Sequence, residues 1–276
     1  MIYTHHEWKS ADYPLKRSIS IEEELNVFSE PYLITIEGNI GSGKTTVMKH
    51  AHSTLAYYDG YLSTTRSMIF FEEPVNKWRS VFDSDGRTVN LLEQFYVNPS
   101  EYFVPLQNRI RKTFIDQQRL PIPSYIRVTE RHVHSATPFI DVAKQMAIVH
   151  PQSVKALRLQ HAVETAHVPL PYATIYLKVS PERAQDQIRR RTLMEGIRSE
   201  EQAITLEYLR RVDDAHDKWL HHPCYGSHVV KINANEPVQE VKNAVTRALV
   251  SLSTMIEKEI KSTSIREANL KNSTYT

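Results

Sequence analysis

Residues 32–46 read Tyr32-Leu33-Ile34-Thr35-Ile36-Glu37-Gly38-Asn39-Ile40-Gly41-Ser42-Gly43-Lys44-Thr45-Thr46. The apolar run Tyr32 to Ile36 predicts a buried strand. Gly38 to Thr45 follows the pattern G-x-x-x-x-G-K-[ST], and the residues from Lys44 to about Tyr57 read as a helix. Glycines let such a loop curl until several backbone N–H groups point inward at phosphate oxygens, and the following helix adds its positive end. Lys44 is placed to reach the β- and γ-phosphates and the Thr45 hydroxyl to ligate Mg²⁺. Gly38, Asn39, Ile40, Gly41, Ser42, Gly43, Lys44, Thr45 and Thr46 are therefore the expected ATP-binding loop. The loop implies a nucleoside triphosphate but does not name the acceptor.

Outward from this motif, apolar runs recur at Ser67–Phe71, Tyr125–Val128, Thr174–Val179 and His228–Ile232, with helical stretches between them. Ser180-Pro181-Glu182 and Asn235-Glu236-Pro237 look like helix starts. Strands alternating with helices predict an α/β fold, a five-stranded parallel sheet of the P-loop NTPase type flanked by helices. The sheet order is not legible. We divide the 276 residues into an extension over 1–30, one domain over 31–262 and a flexible tail over 263–276.

The bulk numbers narrow the partners. A net charge of +2, with Lys and Arg spread along the chain, predicts no nucleic-acid surface. No apolar run is long enough to span a membrane. The single cysteine, Cys224, rules out an internal disulfide. The acids in residues 1–30 are unlike an arginine-rich transit peptide. A cytoplasmic location is expected, with a mitochondrial one left open. His132, His134, His216, His221, His222 and Cys224 match no standard zinc spacing.

A phosphotransferase needs a base near the acceptor hydroxyl and positive charge around the moving group. In open α/β sheets such groups sit past the carboxyl ends of strands. Two apparent strands end in candidates, Phe71-Glu72-Glu73-Pro74 and Val128-Thr129-Glu130-Arg131-His132.

Several stretches in order resemble the deoxyribonucleoside kinase family, the group that contains mitochondrial thymidine kinase, deoxycytidine and deoxyguanosine kinases and the insect multisubstrate kinase. They are IEGNIGSGKTT (36–46), EPVNKWR (73–79), LLEQFY (91–96), LQ (106–107), TERHVHSA (129–136), IYLKVSPE (175–182), RSEE (198–201), LEYL (206–209) and HDKWL (216–220). The resemblance implies phosphorylation of a deoxyribonucleoside 5′-hydroxyl by ATP with Mg²⁺, for nucleotide salvage, in a homodimer. It makes Glu73 the general base, Arg131 the stabiliser of transferred charge, and Glu130 a holder of Mg²⁺ with Thr45. Gln107 would pair with the base edge, Trp78 and Phe139 would pack on the base, and Tyr96 and Glu201 would hold the 3′-hydroxyl. An arginine-rich lid over about 189–200 would bring Arg189, Arg191 and Arg198 onto phosphates.

Two departures stand out. About five residues are added near Thr192–Ile197, and His132 replaces a serine usual in the cellular enzymes. Herpesviral thymidine kinases have D-R-H there, which hints at a viral member. The base pocket carries Phe114, Ala136 and Ile110 where the deoxycytidine and deoxyguanosine kinases use arginine and aspartate. This favours thymidine and other pyrimidine deoxynucleosides. A nucleoside monophosphate kinase, such as a thymidylate kinase, and a P-loop switch or binding protein are the competing readings.

Overall fold

The computed structural model describes residues 31–59, 68–122, 124–195, 199–222 and 228–273. The extension over 1–30, Arg198 and Cys224 lie outside the described residues. Strand β1 (Tyr32–Gly38) runs into the phosphate loop and helix α1 (Lys44–Asp59). Strand β2 (Met68–Phe71) is followed by a short helix α2 (Asn76–Arg79), a hairpin β3 (Val81–Phe82) and β4 (Thr88–Val89), and helices α3 (Leu91–Val97) and α4 (Pro99–Gln118). Then come β5 (Ile126–Glu130), a 3-10 turn at Val133–Ser135, α5 (Ala136–Gln145), α6 (Pro151–Thr165), β6 (Ala173–Lys178) and α7 (Pro181–Glu195). A second 3-10 turn at Ser199–Ala203, α8 (Leu206–Leu220), β7 (His228–Asn233) and α9 (Val238–Ser273) complete the chain.

The five predicted strands form one parallel sheet in the order β2-β5-β1-β6-β7. β1 is central, and its residues from Leu33 onward are buried because helices cover both faces. One core packs α1, α7, α8 and α9 on the sheet around Ile34, Ile36, Val47, Ile175, Val245 and Leu249. A second lies beside the sheet among α2 to α6, around Trp78, Phe95, Phe103, Phe114 and Ile140. It forms the wall of the cleft described below.

Asn235-Glu236-Pro237 does lead into α9, whose first residue is Val238, and the Pro237 carbonyl accepts the N–H of Val241. The same helix continues past residue 263 to Ser273, where the sequence reading set a tail. Thr263 and Ser264 hydroxyls bond back to Glu259 and Ile260 carbonyls, so polar residues are accommodated without breaking the turn. Arg189, Arg190 and Arg191 of the expected lid lie on α7, which extends to Glu195. Ser180 does open α7, its Oγ accepting the N–H of Arg183 at 3.4 Å.

An unexpected charge lies in β5. Arg127 is buried, with its guanidinium over the Phe71 ring at 4.6 Å. It donates to the carbonyls of Gln117, at 2.7 Å, and Leu120, and so caps the carboxyl end of α4. Burial pushes it down to about 10. The cap ties α4 to the sheet, and α4 carries much of the cleft wall.

If α9 packs as described, Leu249→Ala should lower unfolding free energy by about 2–4 kcal/mol in urea titrations. Val250→Ala, at a position that is 40% exposed, should change it by less than about 0.5 kcal/mol.

Candidate active site

Sheet register assembles the site. Phe71 of β2 pairs with Thr129 of β5, and Ile36 of β1 pairs with Glu130. Continuing each pairing past the strand ends sets Glu73, Arg131 and Glu37 side by side across three neighbouring strands. The contacts agree. Arg131 Nε lies 3.0 Å from Glu73 Oε1, and Arg131 Nη1 lies 3.7 Å from Glu37 Oε2. The backbone N–H of Arg131 bonds Ile36 O at 3.1 Å, and its φ of 63° turns the chain out of the strand. The guanidinium also sits over the Phe139 ring at 4.9 Å, with His216 Nε2 3.4 Å from Nη1. His216 Nδ1 donates to Val212 O at 2.8 Å, which fixes the ring and presents Nε2 to the arginine.

The phosphate loop lies at the same edge. Gly41 has φ +77°, and a Cβ there would come within 2.5 Å of the Ala184 carbonyl of α7, so glycine is required. Asn39 is buried and its amide donates to Leu209 O at 2.8 Å, tying the loop to α8. Lys44 Nζ donates to the carbonyls of Gly38 and Asn39 at 3.2 and 2.9 Å. Burial pushes the Lys44 ammonium down to about 8 and Arg131 adds to this, while Glu130, Glu73 and Glu37 pull it up. Thr45 Oγ1 donates to the Glu130 carboxylate at 2.9 Å, so the two expected metal holders already meet.

A cleft open to solvent connects these groups. Ile40, Gly41, Gly43, Lys44, Thr45 and Thr46 line it, whereas Gly38, Asn39 and Ser42 do not. Glu73, Glu130 and Arg131 also line it. So do Trp78, Tyr96, Gln107, Ile110, Phe114, Ala136 and Phe139. The Trp78 indole donates to Thr113 Oγ1 at 2.9 Å and meets Phe114 edge-on, with centroids 6.0 Å apart. Gln107 is buried, and its Oε1 has no hydrogen-bond partner among the described residues. That orphaned acceptor at the cleft wall calls for a donor.

The lid residues divide. Arg191 lines the cleft and pairs with Glu201, the expected 3′-hydroxyl holder. Arg189 is exposed on α7 and does not line the cleft. The neighbouring Glu200 is held by Arg79 Nε at 2.9 Å. Among the described residues, no group of three His, Cys, Asp or Glu side chains could hold a metal ion. His134 Nδ1 instead lies 3.1 Å from His161 Nε2, and the His132 ring is 5.0 Å from that of His134.

Sequence reasoning missed Glu37, His216, Thr113, Ser135 and Tyr208 as parts of the site. Glu37 lies within the quoted 36–46 match, but nothing in the motif marks it. Thr113 sits beside Phe114 on a helix, with no signal of its own.

A parallel sheet with a phosphate loop at its central strand, opening on a second pocket at the same edge, defines a P-loop protein built to hold a nucleotide beside an acceptor. Comparison with known proteins narrows the class. Residues 34–257 match the deoxynucleoside kinase family model, and the chain belongs to that family. It is 30% identical over 192 residues to mitochondrial thymidine kinase 2 of Macaca fascicularis, covering 68% of this chain and 64% of that protein. It is 26% identical over 221 residues to the thymidine kinase of Ictalurid herpesvirus 1 (strain Auburn), covering 80% of this chain and 86% of the viral one. The fold resembles a deoxyadenosine kinase from M. mycoides, with a TM-score of 0.61 at 19% identity over 80% of this chain and 99% of that one.

The histidines beside the site make stability depend on pH. Burial depresses His161 to about 4, with help from the charges of His134 and Arg111, and burial likewise lowers His132 and His134. Their unfolded values are near 6.5, so the unfolded chain binds more protons between there and the folded values. The contribution of His161 is complete above pH 6.5 and is lost as pH falls towards about 4, at up to about 1.4 kcal/mol per pH unit, and His132 and His134 act in the same direction. Denaturant titrations across this window should show a shallower slope for His161→Gln than for the unmodified chain.

Proposed function

We propose that this protein transfers the γ-phosphoryl group of ATP to the 5′-hydroxyl of a deoxyribonucleoside, thymidine first among the pyrimidines. The observation that carries the reading is the Glu73–Arg131 pair, 3.0 Å apart, in one cleft with the phosphate loop. Glu73 accepts the proton of the 5′-hydroxyl as its oxygen bonds to the γ-phosphorus. The bond from that phosphorus to the bridging oxygen breaks, and ADP leaves. Arg131 and Lys44 stabilise the charge on the moving group. Thr45 and Glu130 offer the hard oxygen donors Mg²⁺ prefers, and their contact at 2.9 Å fits that role. The ion supplies charge neutralisation on the β- and γ-phosphates when bound. Arg191 and Arg189, with Arg198, serve the phosphates from the lid.

Gln107 supports a base with both a donor and an acceptor on its edge, such as thymine, because an amide satisfies both at once. Trp78 and Phe139 flank the slot, with Phe114, Ile110 and Ala136 presenting no charge to it. The bulk of Phe114 favours a single-ring base. Tyr96 and Glu201 are assigned to the 3′-hydroxyl. We assign the reaction to nucleotide salvage in the cytoplasm.

A homodimer is part of the proposal. Leu159 and Val163, one turn apart on α6, are 66% and 67% exposed and offer an apolar face beside the sheet. Sedimentation should return twice the chain mass, and a monomer at every concentration would contradict this.

The decisive assay offers ATP, Mg²⁺ and a panel of deoxynucleosides and their 5′-monophosphates, with products separated by chromatography. Thymidine should exceed the purine deoxynucleosides in kcat/KM by about tenfold or more. Glu73→Gln should lose ~10²–10⁴-fold in kcat. Turnover of monophosphates alone would replace this reading with a monophosphate kinase. No turnover at all would favour a binding protein.

A further inference from the structure

Glu37 has no part in the reaction as drawn above, yet its placement is costly. It is fully buried near the end of β1. A carboxylate out of water is tolerated only when paired and hydrogen-bonded, and an apolar residue of similar size packs as well or better. Glu37 Oε1 accepts the Ser135 hydroxyl, and that of Thr35 at 3.4 Å. Oε2 makes no hydrogen bond among the described residues and faces Arg131 Nη1 at 3.7 Å. Burial raises the carboxyl, and the charge of Arg131 opposes this most. The carboxylate is thus built toward one partner, the arginine.

Arg131 needs such a partner. An arginine beside a lone carboxylate tends to a bidentate pair, which occupies both carboxylate oxygens. Here the contact between Arg131 and Glu73 runs from Nε to Oε1 at 3.0 Å, while Nη1 lies 3.7 Å from Glu37 Oε2 and 3.4 Å from His216 Nε2. The register of β2, β5 and β1 sets a carboxylate on each side of the guanidinium.

We propose that Glu37 is a positioning residue for phosphoryl transfer: it holds Arg131 so that the guanidinium meets Glu73 through one nitrogen, leaving the second carboxylate oxygen of Glu73 to take the acceptor's proton. The proposal rests on Glu73 as the base. Ser135 orients Glu37 from behind. The positional effect belongs to the transfer step, not to binding of either substrate.

Glu37→Gln keeps the shape and the contact to Ser135 and removes the charge. In the full chain, kcat for the best nucleoside should fall ~10–100-fold with both KM values within about threefold, since the lost interaction acts in the transition state. In an Arg131→Gln background the same change should cost less than about twofold, because the two residues act as one unit. A readout independent of turnover is the ¹⁵N-edited proton signal of Arg131 Nε–H, assigned by its loss in Arg131→Gln. It should be sharp in the unmodified chain and broadened or faster-exchanging in Glu37→Gln. Equal losses in both backgrounds, a loss confined to KM, or an unchanged Arg131 signal would each overturn the proposal. Should Glu37→Gln fail to fold by thermal melting, Ser135→Ala is measured in its place. It should show a smaller loss in kcat alone, and unchanged kcat and Arg131 signal there would overturn the proposal too. If the unmodified chain phosphorylates no nucleoside while the Arg131 signal still responds to Glu37→Gln, the holding of Arg131 stands and the reaction reading fails.

Discussion

One guanidinium between two carboxylates organises this molecule. Arg131 stands at the carboxyl edge of the sheet with Glu73 on the β2 side and Glu37 on the β1 side. Three strands must be in register for that row to exist, and β5 must lie between β1 and β2. Charges held this far from water are strongly coupled, because little solvent screens them. Lys44, lowered by burial and by Arg131 and raised by Glu130, Glu73 and Glu37, belongs to the same balance. Three acids and two cations thus converge where a triphosphate and its metal are proposed to sit.

The rest of the fold serves this edge. β1 delivers the phosphate loop, with Gly41 pressed against the carbonyl of Ala184 on α7 and Asn39 bonded to α8. Helix α4 delivers the pocket wall and is held to the segment that carries Glu73. Gln117 donates to Glu72 O at 3.0 Å, Thr113 receives the Trp78 indole, and Arg109 donates to Lys77 O at 2.9 Å. The base-reading wall and the proposed catalytic carboxylate are therefore parts of one bonded unit. Arg127 anchors the far end of that unit to the sheet.

Much of this was legible in the sequence. Glycine spacing followed by Lys44 and Thr45 requires one backbone path, and apolar runs mark buried parallel strands because both faces are covered. Glu73 and Arg131 could be singled out because each follows such a run. Strand order could not be read, since crossover helices permit several neighbours for each strand, and so the lateral row that includes Glu37 was invisible. Arg127 was hidden for the opposite reason: a charge inside an apolar run contradicts the pattern that reveals a strand. Thr113 and His216 meet Trp78 and Arg131 from distant segments, and such a contact leaves no periodicity.

The account's central claim is that the acceptor's 5′-oxygen enters the row formed by Glu73 and Arg131. A crystal structure of the protein with thymidine bound tests it directly. The account predicts the 5′-oxygen within hydrogen-bond distance of both a Glu73 carboxylate oxygen and the Arg131 guanidinium, with the base edge on Gln107. A nucleoside bound with its 5′-oxygen turned away from Glu73, or outside the cleft altogether, would contradict it.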